Sequence, residues 1–163
     1  MNKYTESMYW EDANYIRWSK DMFTSLALSI GDIRALSDMG IPEWVAPNLN
    51  FDNYESENTR LKLGEDREDR DIFLCFDAYN ILIGEDSQFM NSSAFHMRKS
   101  LQLYAVMVEE ALLIDGESII KNKVDNLVID EFEKQLFTLD PPSTFEGSFW
   151  FTELLRLKSR NRD

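Results

Sequence analysis

From Asn48 to Met90 the apolar residues of this chain recur at every second position, and from Ala94 onward they recur every third or fourth. A chain patterned in this order does not build alternating strand–helix–strand units. It predicts strands laid down together with helices packed against them, an α+β fold with a central antiparallel sheet. In "TRLKLG" Leu61 and Leu63 alternate. In "DIFLCFD" Ile72, Leu74 and Phe76 alternate against Phe73 and Cys75, which predicts a strand buried on both faces. Asp77 to Asn80 predict a turn into "ILIG", giving an antiparallel hairpin. "EDREDRD", Glu65 to Asp71, is too polar for a core and is expected as a solvated loop.

After Met90 the stripe Ala94, Met97, Leu101, Ala105, Val108 and Leu112 predicts a long helix, with Asn91 or Ser92 as its cap. Val124, Val128, Phe132, Leu136 and Leu139 predict another, ended by Pro141–Pro142. "SFWFTELLRL" predicts a third, with either Trp150 and Leu154 or Phe151 and Leu155 inward. Upstream, Ser29 caps a short helix whose Ile33 and Leu36 face inward, with Asp32 near its positive end. Gly40 stops that helix, and Ile41 and Pro42 follow. The aromatic-rich start, with Tyr4, Tyr9, Trp10, Tyr15 and Trp18, is read as partly helical. No repeat, low-complexity tract or linker divides the chain, so one domain is expected over 1–163.

Charge is the informative bulk quantity. Seventeen Lys+Arg stand against 30 Asp+Glu, a net of −13. The tail over 156–163 holds four cations and one acid, which leaves 13 cations and 29 acids in the body, a net of −16. Such a body repels phosphate backbones, so direct nucleic-acid binding is not expected. It accelerates encounter with a basic partner, although acidity can equally serve solubility alone. One cysteine, Cys75, forms no internal disulfide, and no basic-then-apolar leader opens the chain; a cytoplasmic protein is expected. No apolar run reaches membrane-spanning length, so no membrane partner is expected either.

Candidate chemistry is thin. His96, the sole histidine, flanks its helix, with Lys99 at i+3 and no carboxylate one turn away. Cys75 lies among Phe73, Leu74 and Phe76, where burial suppresses thiolate. No zinc, calcium or phosphate-loop pattern occurs, so neither metal nor cofactor is expected. Carboxylate pairs abound, and a glycosidase cleft needs a separation that sequence spacing does not give. Two acidic strand-end loops, with Glu65, Asp66, Glu68 and Asp69 in one and Glu85 and Asp86 in the other, are expected on one rim of the sheet. Arg67 and Arg70 partly offset the first, and Trp44 is the candidate aromatic anchor.

Four phrases in order, "ALSDMGIPEW", "DIFLCFDAYNILIGED", "FMNSSAFHMRKSLQLY" and "LDPPSTFEGSFWFTELL", resemble the SUKH superfamily. Within it they are similar to the bacterial immunity proteins that neutralise polymorphic toxins. They run from Ala35 to Leu155; residues 1–28 match nothing distinctive, and Pro142 stands where a helix former is expected. The resemblance implies a non-catalytic inhibitor, a monomer or weak homodimer, that occludes a toxin, often a basic nuclease. The alternative it admits is an intracellular interaction scaffold or regulator of the SUKH type with no toxin partner. A carboxylate-dependent hydrolase is the third alternative.

Overall fold

Leu61, Leu63, Ile72, Leu74, Ile81 and Ile83 turn to one side of a single sheet, and that side carries the core. The computed structural model describes residues 8–160. It begins with α1 (Met8–Glu11), β1 (Tyr15–Ile16) and α2 (Ile30–Ile33), which runs into a π-type turn over Arg34–Met39, followed by β2 (Ile41–Pro42). Strands β3 (Trp44–Val45), β4 (Leu49–Phe51), β5 (Arg60–Glu65), β6 (Asp71–Cys75), β7 (Ile81–Ile83) and β8 (Gln88–Asn91) follow. These six form an antiparallel sheet in chain order, while β1 pairs with β2 alone. Helices α3 (Ala94–Ile114), α4 (Asn126–Leu139) and α5 (Phe149–Arg160) complete the α+β architecture.

The central hairpin has the expected register, with Ile72, Phe73 and Leu74 opposite Ile83, Leu82 and Ile81. Burial on both faces of β6 holds only in part. Ile72 and Leu74 join the continuous core, whereas Phe73 is buried apart from it beneath the Arg60 guanidinium, 4.6 Å from the ring centroid. Cys75 and Phe76 are half-buried. A β-bulge between Lys62 and Gly64 shifts the ladder. Gly64 is required there by close approach: a Cβ would sit 2.2 Å from the Asn50 carbonyl oxygen.

α3 is buried more broadly than one stripe predicts. Besides Ala94, Met97, Leu101 and Ala105, it buries Tyr104, Val106, Met107 and Ala111, while Val108 and Leu112 are only partly covered. The reason is its place between neighbours. Tyr104 meets Phe132 of α4 and Trp150 of α5, while Arg98 on another face donates to the Gly40 carbonyl and stacks over Trp10. In α5, Trp150 and Leu154 are the inward pair and Leu155 is exposed.

The expected cap of α3 is corrected by one residue. Ser93, neither Asn91 nor Ser92, accepts from the His96 backbone N–H. Asp32 lies in the first turn of α2 as expected, and its buried carboxylate also accepts from the Phe95 N–H, capping α3 from outside. Ser29 caps α2 as expected, accepting from the Asp32 N–H, and Gly40, at φ +76°, ends the following turn. The aromatic-rich start is helical in part, as expected. Among the described residues α1 carries Trp10 into the core, Trp18 enters from irregular chain, and a 3-10 turn over Lys20–Phe23 follows and buries Phe23. Tyr4 and residues 161–163 of the basic tail lie outside the described residues.

Candidate partner-binding surface

Antiparallel pairing of β6 with both β5 and β7 brings two acidic connections off the same end of the sheet. Glu65 pairs with Asp71 across the first, and the Gly84 N–H donates to the Asp71 carbonyl at 2.9 Å beside the second. Gly84 adopts φ +78°, and a side chain there would crowd the Asp86 carboxylate at 3.0 Å. Between the connections lies a cleft of about 510 Å³ lined by Asp69, Asp71, Glu85 and Asp86 together with Arg60 and Arg70.

The first connection is wired from within. Asp66 accepts from the Glu68 and Arg70 backbone N–H groups at 2.9 Å each and from Arg70 Nε at 2.8 Å. Arg70 reaches further to Gln88, whose amide donates to the Gly147 carbonyl. Arg67 crosses to Glu153 of α5, which also holds Arg156. Both arginines of "EDREDRD" therefore serve internal carboxylates. Burial, then the Glu153 carboxylate, pushes the nearby Tyr104 phenol up to about 12, against the opposing pull of Arg156 and Arg67.

Six acids and one tryptophan were expected at this surface, and the structure sorts them. Asp69, Glu85 and Asp86 converge on the cleft, exposed, and form no ion pair among the described residues. Glu68 stands beside them, 70% exposed, with Arg70 Nε at 3.7 Å. Glu65 turns to the sheet face opposite the core, where Lys62 Nζ binds it at 2.6 Å and Asp71 at 3.1 Å. Burial opposes the charge of Lys62, but its bonds to Glu65 and Asp71 together outweigh that and raise its pKa. Asp66 is a correction: its side chain is only 3% exposed, because the backbone N–H groups of its own turn claim it. Trp44 is 56% exposed on the edge strand β3 and donates to Asn48. It opposes Asn50, which opposes Glu65, so Trp44 and Glu65 share a face roughly 10 Å apart across two strand spacings.

Sequence reasoning missed Arg60 and Asp71 as cleft residues. It also missed the row Lys62, Phe73, Leu82 and Phe89 across the face opposite the core. Leu82 and Phe89 are half-buried there, and Tyr54 covers Lys62 with its ring centroid 4.3 Å from Nζ. The legible signal was Phe73 itself, an apolar residue on the second face of β6.

Elsewhere, His96 faces a groove of about 450 Å³ that includes Asp32, Tyr79, Ser93 and Phe95. Its Nδ1 lies 2.7 Å from the same Ser93 hydroxyl that caps the helix. Asn91 and Ser92 join a buried clasp. Asp140 accepts from Asn91 Nδ2, the Ser92 N–H and the Ser92 hydroxyl; the Asn91 carbonyl accepts from Trp150 Nε1, and Asn91 Nδ2 also donates to Ser100. Among the described residues, no three His, Cys, Asp or Glu are grouped to hold a metal, and no helix is long and apolar enough to cross a membrane. Comparison with family models, curated proteins and solved structures returned no match.

Proposed function

We propose that this chain is a cytoplasmic immunity protein of the SUKH type, which binds a basic toxin, in the first instance a nuclease, and occludes it without catalysis. One observation carries the reading: Asp69, Glu85 and Asp86 converge on one cleft and form no ion pair among the described residues, because the arginines near them are engaged elsewhere, Arg67 with Glu153, Arg70 with Asp66 and Arg60 with Glu57. Unpaired carboxylates held on a rigid rim give a field that steers a cationic partner and a register for it to dock. Trp44, on the adjoining face, supplies the aromatic contact such an interface uses.

The test is a capture experiment from lysate of the encoding organism, using the wild-type chain and the D69K/E85K/D86K variant as baits. The expected result is one basic toxin domain retained by the wild type, released at high salt and absent from the variant. A set of several partners unaffected by the reversal favours the scaffold reading and overturns the toxin one.

A further inference from the structure

Five large aliphatic side chains stand out at the junction of α3 and α4. Leu113 and Ile114 end α3, Ile119 and Ile120 lie in the connection and Leu127 opens α4; they are 86, 62, 37, 84 and 78% exposed. Together they present on the order of 500 Å² of apolar surface, at the top of what monomers carry by default. The connection is wound rather than loose. The Ser118, Lys121 and Lys123 N–H groups donate to the Asp115, Glu117 and Ser118 carbonyls, and Ser118 and Val124 are buried. The two isoleucines are therefore held outward by a structured turn.

The surroundings select the occupant. Between Glu109 and Glu131 the chain has seven acids and two lysines, and Lys121 is paired with Glu117 at 2.5 Å. A second copy would bring the same excess of negative charge against itself, and anionic headgroups would be repelled likewise. α3 also relates the tip to the rim. Tyr104 in the middle of α3 packs against Trp150 of α5, and on the same helix Glu153 holds Arg67 of the rim loop. The ten residues from Tyr104 to Ile114 carry the helix roughly 15 Å further.

We propose that this apolar tip is a docking surface for a basic protein segment with an apolar face, its cations set toward the flanking acids. The proposal rests on the toxin reading for the partner's identity, though not for the chemistry of the contact. The probe is a labelled synthetic amphipathic helix of leucine and lysine, with a leucine–glutamate helix as its counterpart, in fluorescence anisotropy at physiological salt. Wild type should bind the lysine peptide, ignore the glutamate one, and lose affinity about tenfold or more in L113S/I120S. L127S supplies an independent variant, with thermal melts confirming folding. Equal binding by the tip variants overturns the proposal. So does a concentration-dependent dimer that L113S/I120S abolishes, or flotation of the wild type with phosphatidylglycerol vesicles. The peptide assay involves no toxin, so the two readings fail separately. Tip variants that lose the peptide while a rim-reversed bait keeps its captured proteins sink the toxin reading alone.

Discussion

Strand β8 has carboxylates at both ends, one buried and three exposed, and the two ends differ in how the charge is met. Past Asn91, Asp140 is 2% exposed and accepts three hydrogen bonds, from Asn91 and twice from Ser92. Before Gln88, Glu85 and Asp86 stand exposed with Asp69 around a cleft and form no ion pair among the described residues. A carboxylate filled by its own chain holds the fold together. One left unfilled at a rigid surface contributes little to folding and is available to a partner. The fold thus consumes a carboxylate at one end of this four-residue strand and leaves carboxylates exposed at the other.

The largest effect that separates the ends is Asp140→Ala. It strands the Ser92 N–H, the Ser92 hydroxyl and one bond of the Asn91 amide in a closed site, and should destabilise the protein by about 3–5 kcal/mol. Urea denaturation reads this directly. A loss below about 1 kcal/mol would show that water replaces the carboxylate freely and that the clasp is not structural.

How much of this was readable beforehand follows the same division. Backbone pattern was legible: the β6–β7 register, the α4 stripe through Leu136 and its stop at Pro141 came directly from the period of apolar residues. The rim's location was legible too, since two hairpin ends on one side follow from antiparallel order. Individual polar roles were not. Asp66 and Asp69 sit three residues apart in one acidic run, yet one carboxylate is the hub of the turn and the other, at φ +59°, forms no ion pair among the described residues. Nothing in their identity distinguishes them, because the difference is which backbone N–H groups the turn aims inward. Asn91 and Ser92 read as helix caps because a cap and a tertiary clasp call for the same side chains. Their partner, Asp140, lies 49 residues from Asn91 in sequence.

Between the two ends lies the bridge from Arg67 to Glu153, and Tyr104 reports on it. The phenol's folded pKa of about 12 lies above its ordinary value of 10. Its contribution to stability is fully present below pH 10, where the phenol is protonated folded and unfolded alike. Above pH 10 the unfolded chain releases the proton first, so stability falls until the folded phenol also titrates near pH 12. The loss over that window should reach about 2–3 kcal/mol. Chemical denaturation at stepped pH checks this, with Tyr104→Phe expected to flatten the decline relative to wild type. An identical slope in the variant would mean that the phenol is not held in the buried, Glu153-facing environment.

The smallest expected effect on folding is the most discriminating for the rim. Reversing Asp69, Glu85 and Asp86 together to lysine shifts the net charge by six units, to −7, yet removes no ion pair among the described residues. Surface charges without partners contribute within about 0.5 kcal/mol. Stability should therefore stay within that range, or rise slightly as like-charge repulsion is relieved at low salt. Side by side with Asp140→Ala, this asks whether the two ends of β8 are different in kind. Should the triple reversal destabilise by more than about 2 kcal/mol, the rim carboxylates would belong to the folding network. The cleft would then be a second clasp rather than a surface held open for a partner.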